Sequence, residues 1–221
     1  MLAYAYNPLA YAWEVHEAYI RKFGALGGPG RTLLVGLNPG PWGMGQTGVP
    51  FGDPRIVRDW MGLSGTVQAP RDLHPARPVL GLASTRREES GTTLYGWGRE
   101  RFGTAERFFG KFYIVGHCPL LLFDAEGRNV TPADFRKGTP LFDRLMSHCD
   151  GHLAAVVEAV APARIVGLGR FATDRAERVA RRLGYAGEIA CLTHPSPQTR
   201  GRWGPGGWGA LADTALLRYN S

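Results

Sequence analysis

Three residues of this 221-residue chain stand where their side chains could do chemistry: Asn38, Phe51 and His194. Asn38 lies at the start of an irregular segment, and its amide can both donate to and accept from a water. His194 sits in Thr193-His-Pro-Ser-Pro197, just after an apolar run. A histidine at such a strand end can donate to a developing oxyanion. Phe51 closes the segment that contains Asn38 and offers a flat ring. From Gly36 to Phe51 there are five glycines and three prolines in sixteen residues. Glycine gains no packing in a helix or strand, and proline cannot donate to a ladder, so this stretch must be a fixed loop. Small residues around one amide and one ring let a flat ligand come close to the backbone. Taken singly, each residue also has a plainer reading: Asn38 as an Asn-Pro turn former, His194 as a satisfied core histidine, Phe51 as a core ring.

The surrounding pattern supplies the elements that must hold these residues. Thr32-Leu-Leu-Val35 marks a buried strand over about 31–37. Further strands are expected at 112–115, 164–168 and 188–192. Helices are expected over 10–23 with Gly24 as the stop, from Asp53-Pro54 to about Met61, and over 94–110 with breaks at glycines. Thr131-Pro132 and Thr139-Pro140 read as two more helix starts, the second running to about Val160. An arginine-rich helix follows from Phe171 to Leu183, and a last one over 207–218. Residues 64–92 read as a long irregular excursion. Strands alternating with helices imply an α/β fold: one domain over 1–221, three layers α/β/α, with a central four-stranded parallel sheet. Ligands bind at the carboxyl ends of such strands, so the loops after Leu37, Val115 and Leu192 should converge on one pocket.

The totals narrow the class. Apolar content is 44%, charged content 20% and net charge +7, which suits a soluble globular protein with a polyanion such as nucleic acid as partner. Cys118, Cys149 and Cys191 match no metal spacing and are odd in number, so they read as thiols in a reducing compartment. No metal and no other cofactor is expected. No apolar run reaches a membrane span, and the N-terminus lacks a secretory pattern. The expectation is an intracellular monomer, cytoplasmic and nucleoid-associated in a bacterium or nuclear in a eukaryote.

In chain order, GLNPGPWGMGQTGVPFGD (36–53), HPARPVLGL (74–82), CPLLLF (118–123) and HPSP (194–197) ahead of a Gly/Trp segment resemble the single-strand-selective monofunctional uracil-DNA glycosylases of the uracil-DNA glycosylase superfamily. The similarity runs from about residue 5 to 217. It implies the uracil-DNA glycosylase fold and hydrolysis of an N-glycosidic bond in DNA. Positive charge then builds on the sugar and negative charge on the leaving base. The resemblance gives Asn38 the water and His194 the developing charge on uracil O2. It gives Phe51 the face of the flipped base, and Gly40 and Met44 the floor beside uracil C5, where a water can give way to a 5-hydroxymethyl group. The three lysines, Lys22, Lys111 and Lys137, lie outside these motifs, so no lyase step is expected.

DNA, single- or double-stranded, is the implied partner. Pro195, Ser196 and Pro197 would pinch its backbone, and Arg200 or Arg202 would bind phosphate or fill the gap left by the base. A solvated loop is the alternative for that segment. The arginines at 170–182 read first as a solvated face. The chain departs from the family at Gly116, where an asparagine reads the Watson–Crick edge of uracil in the vertebrate-type enzymes. Either the backbone at Gly116 binds the base, or His117 swings in as a substitute. Two other readings stay open: a glycosylase for deaminated purines such as xanthine or hypoxanthine, and an inactive DNA-binding relative.

Overall fold

The computed structural model of the protein describes residues 2–28 and 30–217. In chain order the elements are β1 (Leu2–Tyr6), α1 (Pro8–Tyr11), α2 (Trp13–Phe23), β2 (Thr32–Gly36), α3 (Met44–Thr47), α4 (Glu89–Phe102), α5 (Ala105–Phe109), β3 (Phe112–Gly116), β4 (Leu121–Asp124), β5 (Asn129–Val130), α6 (Pro140–Val160), β6 (Arg164–Leu168), α7 (Arg170–Leu183), β7 (Glu188–Leu192) and α8 (Gly207–Ala212). A π-helical turn covers Ile56–Trp60 and another Asp213–Leu217.

The main sheet has the order β3-β2-β6-β7, and every pair in it is parallel. This is the four-stranded parallel sheet that the sequence implies. Strands β2, β3 and β6 are buried along their whole length and largely apolar because helices cover both faces. Helices α6 and α7 pack on one side, with α7 lying over β2, β6 and β7. In the main core Trp97 of α4 and Phe108 of α5 pack on Phe112, and Trp208 of α8 packs edge-on against Trp97. The outer edge of β3 is closed by a side chain: the Tyr19 hydroxyl donates to Ile114 O at 2.9 Å and accepts from Ile114 N at 3.3 Å. That satisfies an edge that would otherwise pair with another chain.

Strand β2 sits between β3, which follows it in sequence, and β6, which comes later. The chain therefore winds one way from β2 to β3 and the other way from β2 to β6. Such a reversal leaves a crevice beyond the carboxyl ends of β2 and β6.

Several elements differ from expectation. A second sheet, β1-β4-β5, is antiparallel and was not foreseen. Its strands are short, and β1 alternates Tyr with Ala, a weak apolar signal. The expected helix at 10–23 is two helices broken at Ala12; α1 begins earlier because Asn7 caps it, accepting from Leu9 N at 3.1 Å. The expected helix at 94–110 starts at Glu89 and breaks at Gly103, where Thr104 caps α5. Thr131-Pro132 starts only a 3-10 turn, Pro132–Asp134, closed by a capping box. The last helix continues through a π-helical turn to Leu217, and residue 218 of that expectation lies outside the described residues.

Candidate active site

The loop after β2 is held by side chains from outside it. The Tyr11 hydroxyl donates to Gly45 O (2.6 Å), the Tyr95 hydroxyl to Pro50 O (2.6 Å), and His16 Nδ1 bonds Gly48 O (2.8 Å). Gln46 is buried and bridges the loop to the excursion, donating to Pro41 O and Pro78 O and accepting from Leu80 N. These loop carbonyls thus find donors outside a ladder, and, against the expectation of a helix-free loop, the segment also closes one helical turn, α3. The result is a rigid frame for Asn38. Its Nδ2 donates to Pro39 O at 3.2 Å, which leaves Oδ1 as the acceptor of the amide.

Phe51 adopts a left-handed backbone, φ 56°. Two glycines make room for it. A Cβ at Gly36 would approach Phe51 Cε2 to 2.7 Å, and one at Gly91 would collide with the Phe51 carbonyl. The ring lies against the end of β2, its centroid 5.6 Å from that of His194.

His194 is fixed from behind. Its Nδ1 accepts from Ser196 N at 3.1 Å, and its carbonyl accepts from Thr199 Oγ1 at 2.5 Å. Trp203 Nε1 donates to Thr199 Oγ1, and Trp208 Nε1 to Thr193 O. Burial lowers the imidazole pKa to about 4, so the ring is neutral near pH 7. With Nδ1 accepting, the single ring proton is on Nε2 and that nitrogen is a donor.

Asn38, Gly40, Met44, Phe51, Gly116, His194 and Ser196 line one cavity of about 520 Å³. The loops after β2, β3 and β7 do converge. The cavity also takes in the start of α7, from Gly169 to Ala172. The first N–H groups of a helix have no intrahelical acceptor and carry partial positive charge, so this wall favours an anion. Its role was not legible from the arginine-rich sequence of α7. Glu88, Ser90, Asn129, Thr131, Gln198 and Thr199 line the cavity too and were also missed. Glu88 comes from the excursion, which shows no periodicity; the pair Glu88-Glu89 ahead of Ser90-Gly91 is its only signal.

Of the two alternatives for the missing asparagine, replacement by His117 is not met: His117 is elsewhere, while Gly116 does line the cavity. His117 is fully buried and does not line the cavity. Its Nε2 bonds Asp150 Oδ1 at 2.8 Å, and Asp150 also accepts from Arg175. Successive residues of a strand point to opposite faces, so a Gly116 at the cavity sends His117 into the layer of α6 and α7. Of the residues expected to touch DNA, Ser196 lines the cavity, Pro195 is buried, Pro197 starts the 3-10 turn Pro197–Arg202, and Arg200 and Arg202 are exposed on that turn. Among the described residues no group of three or more His, Cys, Asp or Glu could hold a metal ion, and no helix is long and apolar enough to cross a membrane.

The family model described as the uracil DNA glycosylase superfamily matches residues 25–207. Over 216 residues the chain is 41% identical to a single-strand selective monofunctional uracil DNA glycosylase of Bos taurus, covering 98% of this chain and 77% of the relative. A protein of the same description from Rattus norvegicus is 42% identical over 194 residues, covering 88% of this chain and 68% of the relative. The crystal structure of SMUG2 from Pedobacter heparinus has the same fold, with a TM-score of 0.67 at 19% identity, over 98% of this chain and 87% of that one.

Proposed function

The chain belongs to the uracil DNA glycosylase superfamily, and from that membership we propose that it is a monofunctional DNA glycosylase acting on uracil and 5-substituted uracils. It hydrolyses the N-glycosidic bond and leaves an abasic site. The observation that carries this reading is the opening of Asn38 and His194, from the loops after β2 and β7, onto one cavity that the Phe51 ring also lines.

The nucleotide must leave the duplex or single strand to enter, since its glycosidic bond is out of reach within a base stack. Phe51 stacks on the everted base. The neutral His194 donates from Nε2 to uracil O2, which gains negative charge as the bond to the sugar lengthens. Because the cation is disfavoured by burial, the ring is already neutral, and its Nε2–H, a very weak acid, keeps its proton while the hydrogen bond strengthens as charge develops in a water-poor site. The free N–H groups at the start of α7 add partial positive charge along the same wall. Asn38 Oδ1 accepts from the attacking water and directs its oxygen to the sugar carbon. The carbocation-like sugar then needs only a positioned water, not a strong base.

The identity of 41% to a relative described as a uracil DNA glycosylase, over nearly the whole chain, favours uracil over deaminated purines. The test is incubation with oligonucleotides that carry a single uracil or a single xanthine, single-stranded and duplex, followed by alkali. Cleavage at uracil is expected. Cleavage at xanthine alone, or retardation of DNA without cleavage, would overturn the assignment.

A further inference from the structure

Helix α4 and the π-helical turn Ile56–Trp60 enclose a second cavity, of about 330 Å³, that the mechanism above does not use. The two segments are pinned side by side at their starts: Asp53 Oδ1 accepts from Arg55 N and Asp53 Oδ2 from Glu88 N, both at 3.0 Å. Thr92, Gly96 and Arg99 are spaced to share one face of α4 and line this groove. Arg87 lines it as well, and the next residue, Glu88, lines the catalytic cavity, so the two adjoin at the start of α4.

Three arginines border the groove: Arg55, Arg87 and Arg99. Arg55 reaches the Thr85 carbonyl at 3.5 Å, and among the described residues none of the three has an ion pair. The one carboxylate of the lining, Asp59, is held by Arg58 through two hydrogen bonds, at 2.8 and 3.1 Å. The groove is therefore cationic. Trp60, its indole fixed by a bond from Nε1 to Gly103 O at 2.9 Å, supplies a flat apolar wall. Gly96 lies inside the helix, where glycine is the poorest residue after proline. Packing does not call for it, because a Cβ there would have no atom within 4 Å. A helix that omits a side chain over open space lets a ligand come close to its backbone.

We propose that this groove holds the DNA strand that leads away from the everted nucleotide, with phosphates on Arg87, Arg55 and Arg99 and a base or sugar against Trp60. This rests on the DNA-glycosylase reading. Guanidinium forks without carboxylate partners suit phosphate oxygens, and an aromatic wall suits a base of any sequence. The charge alone would also suit an acidic peptide; what favours DNA is the adjoining catalytic cavity, from which a strand must emerge. From Ser90 to Arg99 the helix rises about 14 Å, so a strand needs about four stacked nucleotides beyond the everted one to reach Arg99.

The test uses the full chain with the double variant Arg87→Ala/Arg99→Ala and with Gly96→Glu. The second puts a carboxylate beside Arg99 without a clash and replaces glycine by a better helix former, so its melting temperature should not fall. Affinity for a uracil-free oligothymidylate is titrated at several salt concentrations. Excision of uracil is compared as kcat/KM between a single strand with about two nucleotides on each side, too few to reach Arg99, and one with about ten. The double variant should lower the slope of log K against log salt by about 1.4, and both variants should lower kcat/KM by about fivefold or more on the long strand while staying within about twofold on the short one. An unchanged slope in the double variant overturns the proposal, as do equal losses on short and long strands. Binding of a poly-glutamate peptide that both variants abolish, with DNA affinity unchanged, gives the groove to an acidic protein segment and overturns it too. A wild type that excises no uracil, with the slope still lowered in the double variant, overturns the glycosylase reading and supports the groove as a DNA site.

Discussion

Phe51 and His194 face the same cavity with ring centroids 5.6 Å apart and planes tilted by 42°. A base stacked on the first ring presents its edge, not its face, to the second. The pairing is set by backbone: Phe51 by its left-handed conformation and His194 by the bond from Ser196 N to Nδ1. Stacking platform and edge donor are therefore in place before any substrate arrives, as electrostatic preorganisation requires.

The pH profile should report the neutral state of His194. The imidazole titrates at about 4 in the folded chain, because burial disfavours the cation, against 6.5 when unfolded. Between these values the unfolded chain binds the extra proton and the folded one does not. Stability from the neutral ring is thus complete above pH 6.5 and lost as pH falls toward 4. Single-turnover excision rates from about pH 4.5 to 8 should show no acid limb attributable to His194 near 6.5. A full loss of rate centred at 6.5 would mean that the ring is not held as described.

Asn38→Ala removes the acceptor for water without touching the stacking surface. Turnover should fall by about 10²–10³-fold, with affinity for a uracil-containing oligonucleotide nearly unchanged. Comparing single-turnover rate with a fluorescence-anisotropy titration separates the two. A variant that loses binding in proportion to rate would show that Asn38 holds the DNA or the loop, not the water.

Gly36→Ala should displace the Phe51 ring. The added methyl would sit 2.7 Å from Phe51 Cε2, inside van der Waals contact and against the strand end. Overpacking of this kind costs about 1–3 kcal/mol. A lower melting temperature and a raised KM are expected together. Phe51→Leu on the Gly36→Ala background should recover stability, because the clash is gone, but not KM, because the flat face is gone as well.

The network behind the cavity is a matter of folding. Burial alone would raise the Asp150 pKa, but hydrogen bonds from His117 and Arg175 override it and hold the carboxyl below its usual range. Asp150→Ala leaves Arg175 without its buried partner and should destabilise the protein by about 3–5 kcal/mol. Thermal melting reads the loss directly. Base preference, measured below the new melting point, should stay that of wild type, since His117 does not reach the cavity.

The main sheet was legible because its strands are short apolar runs with helical patterns between them, and Asn38 and His194 because each follows such a run. The antiparallel sheet was not, since β1 buries only part of its surface and pairs with a segment more than a hundred residues away. Glu88 was hidden for a related reason: what brings it to Gly40 is the fold of an excursion without periodicity, pinned through Asp53 and Gln46. His117 could have been excluded beforehand. If Gly116 faces the pocket, the alternation of a strand already points its neighbour away.

Arg200 and Arg202 supply the last prediction. Both are exposed on the turn that follows the His194 loop, and the Arg200 guanidinium lies 5.9 Å from the Trp203 ring centroid. They carry no carboxylate partner in that turn, so a phosphate can take them without first breaking an ion pair. If each binds one phosphate of a single strand, replacing it by alanine should lower the slope of log K against log salt by about 0.7. The double variant should lose about twice that, while the excision rate at saturating enzyme barely moves. Titrations at several salt concentrations measure the slope. An unchanged slope in the double variant would place the strand on another face of the protein, whereas a reduced rate at saturation with the slope intact would move these arginines from phosphate binding to the eversion step.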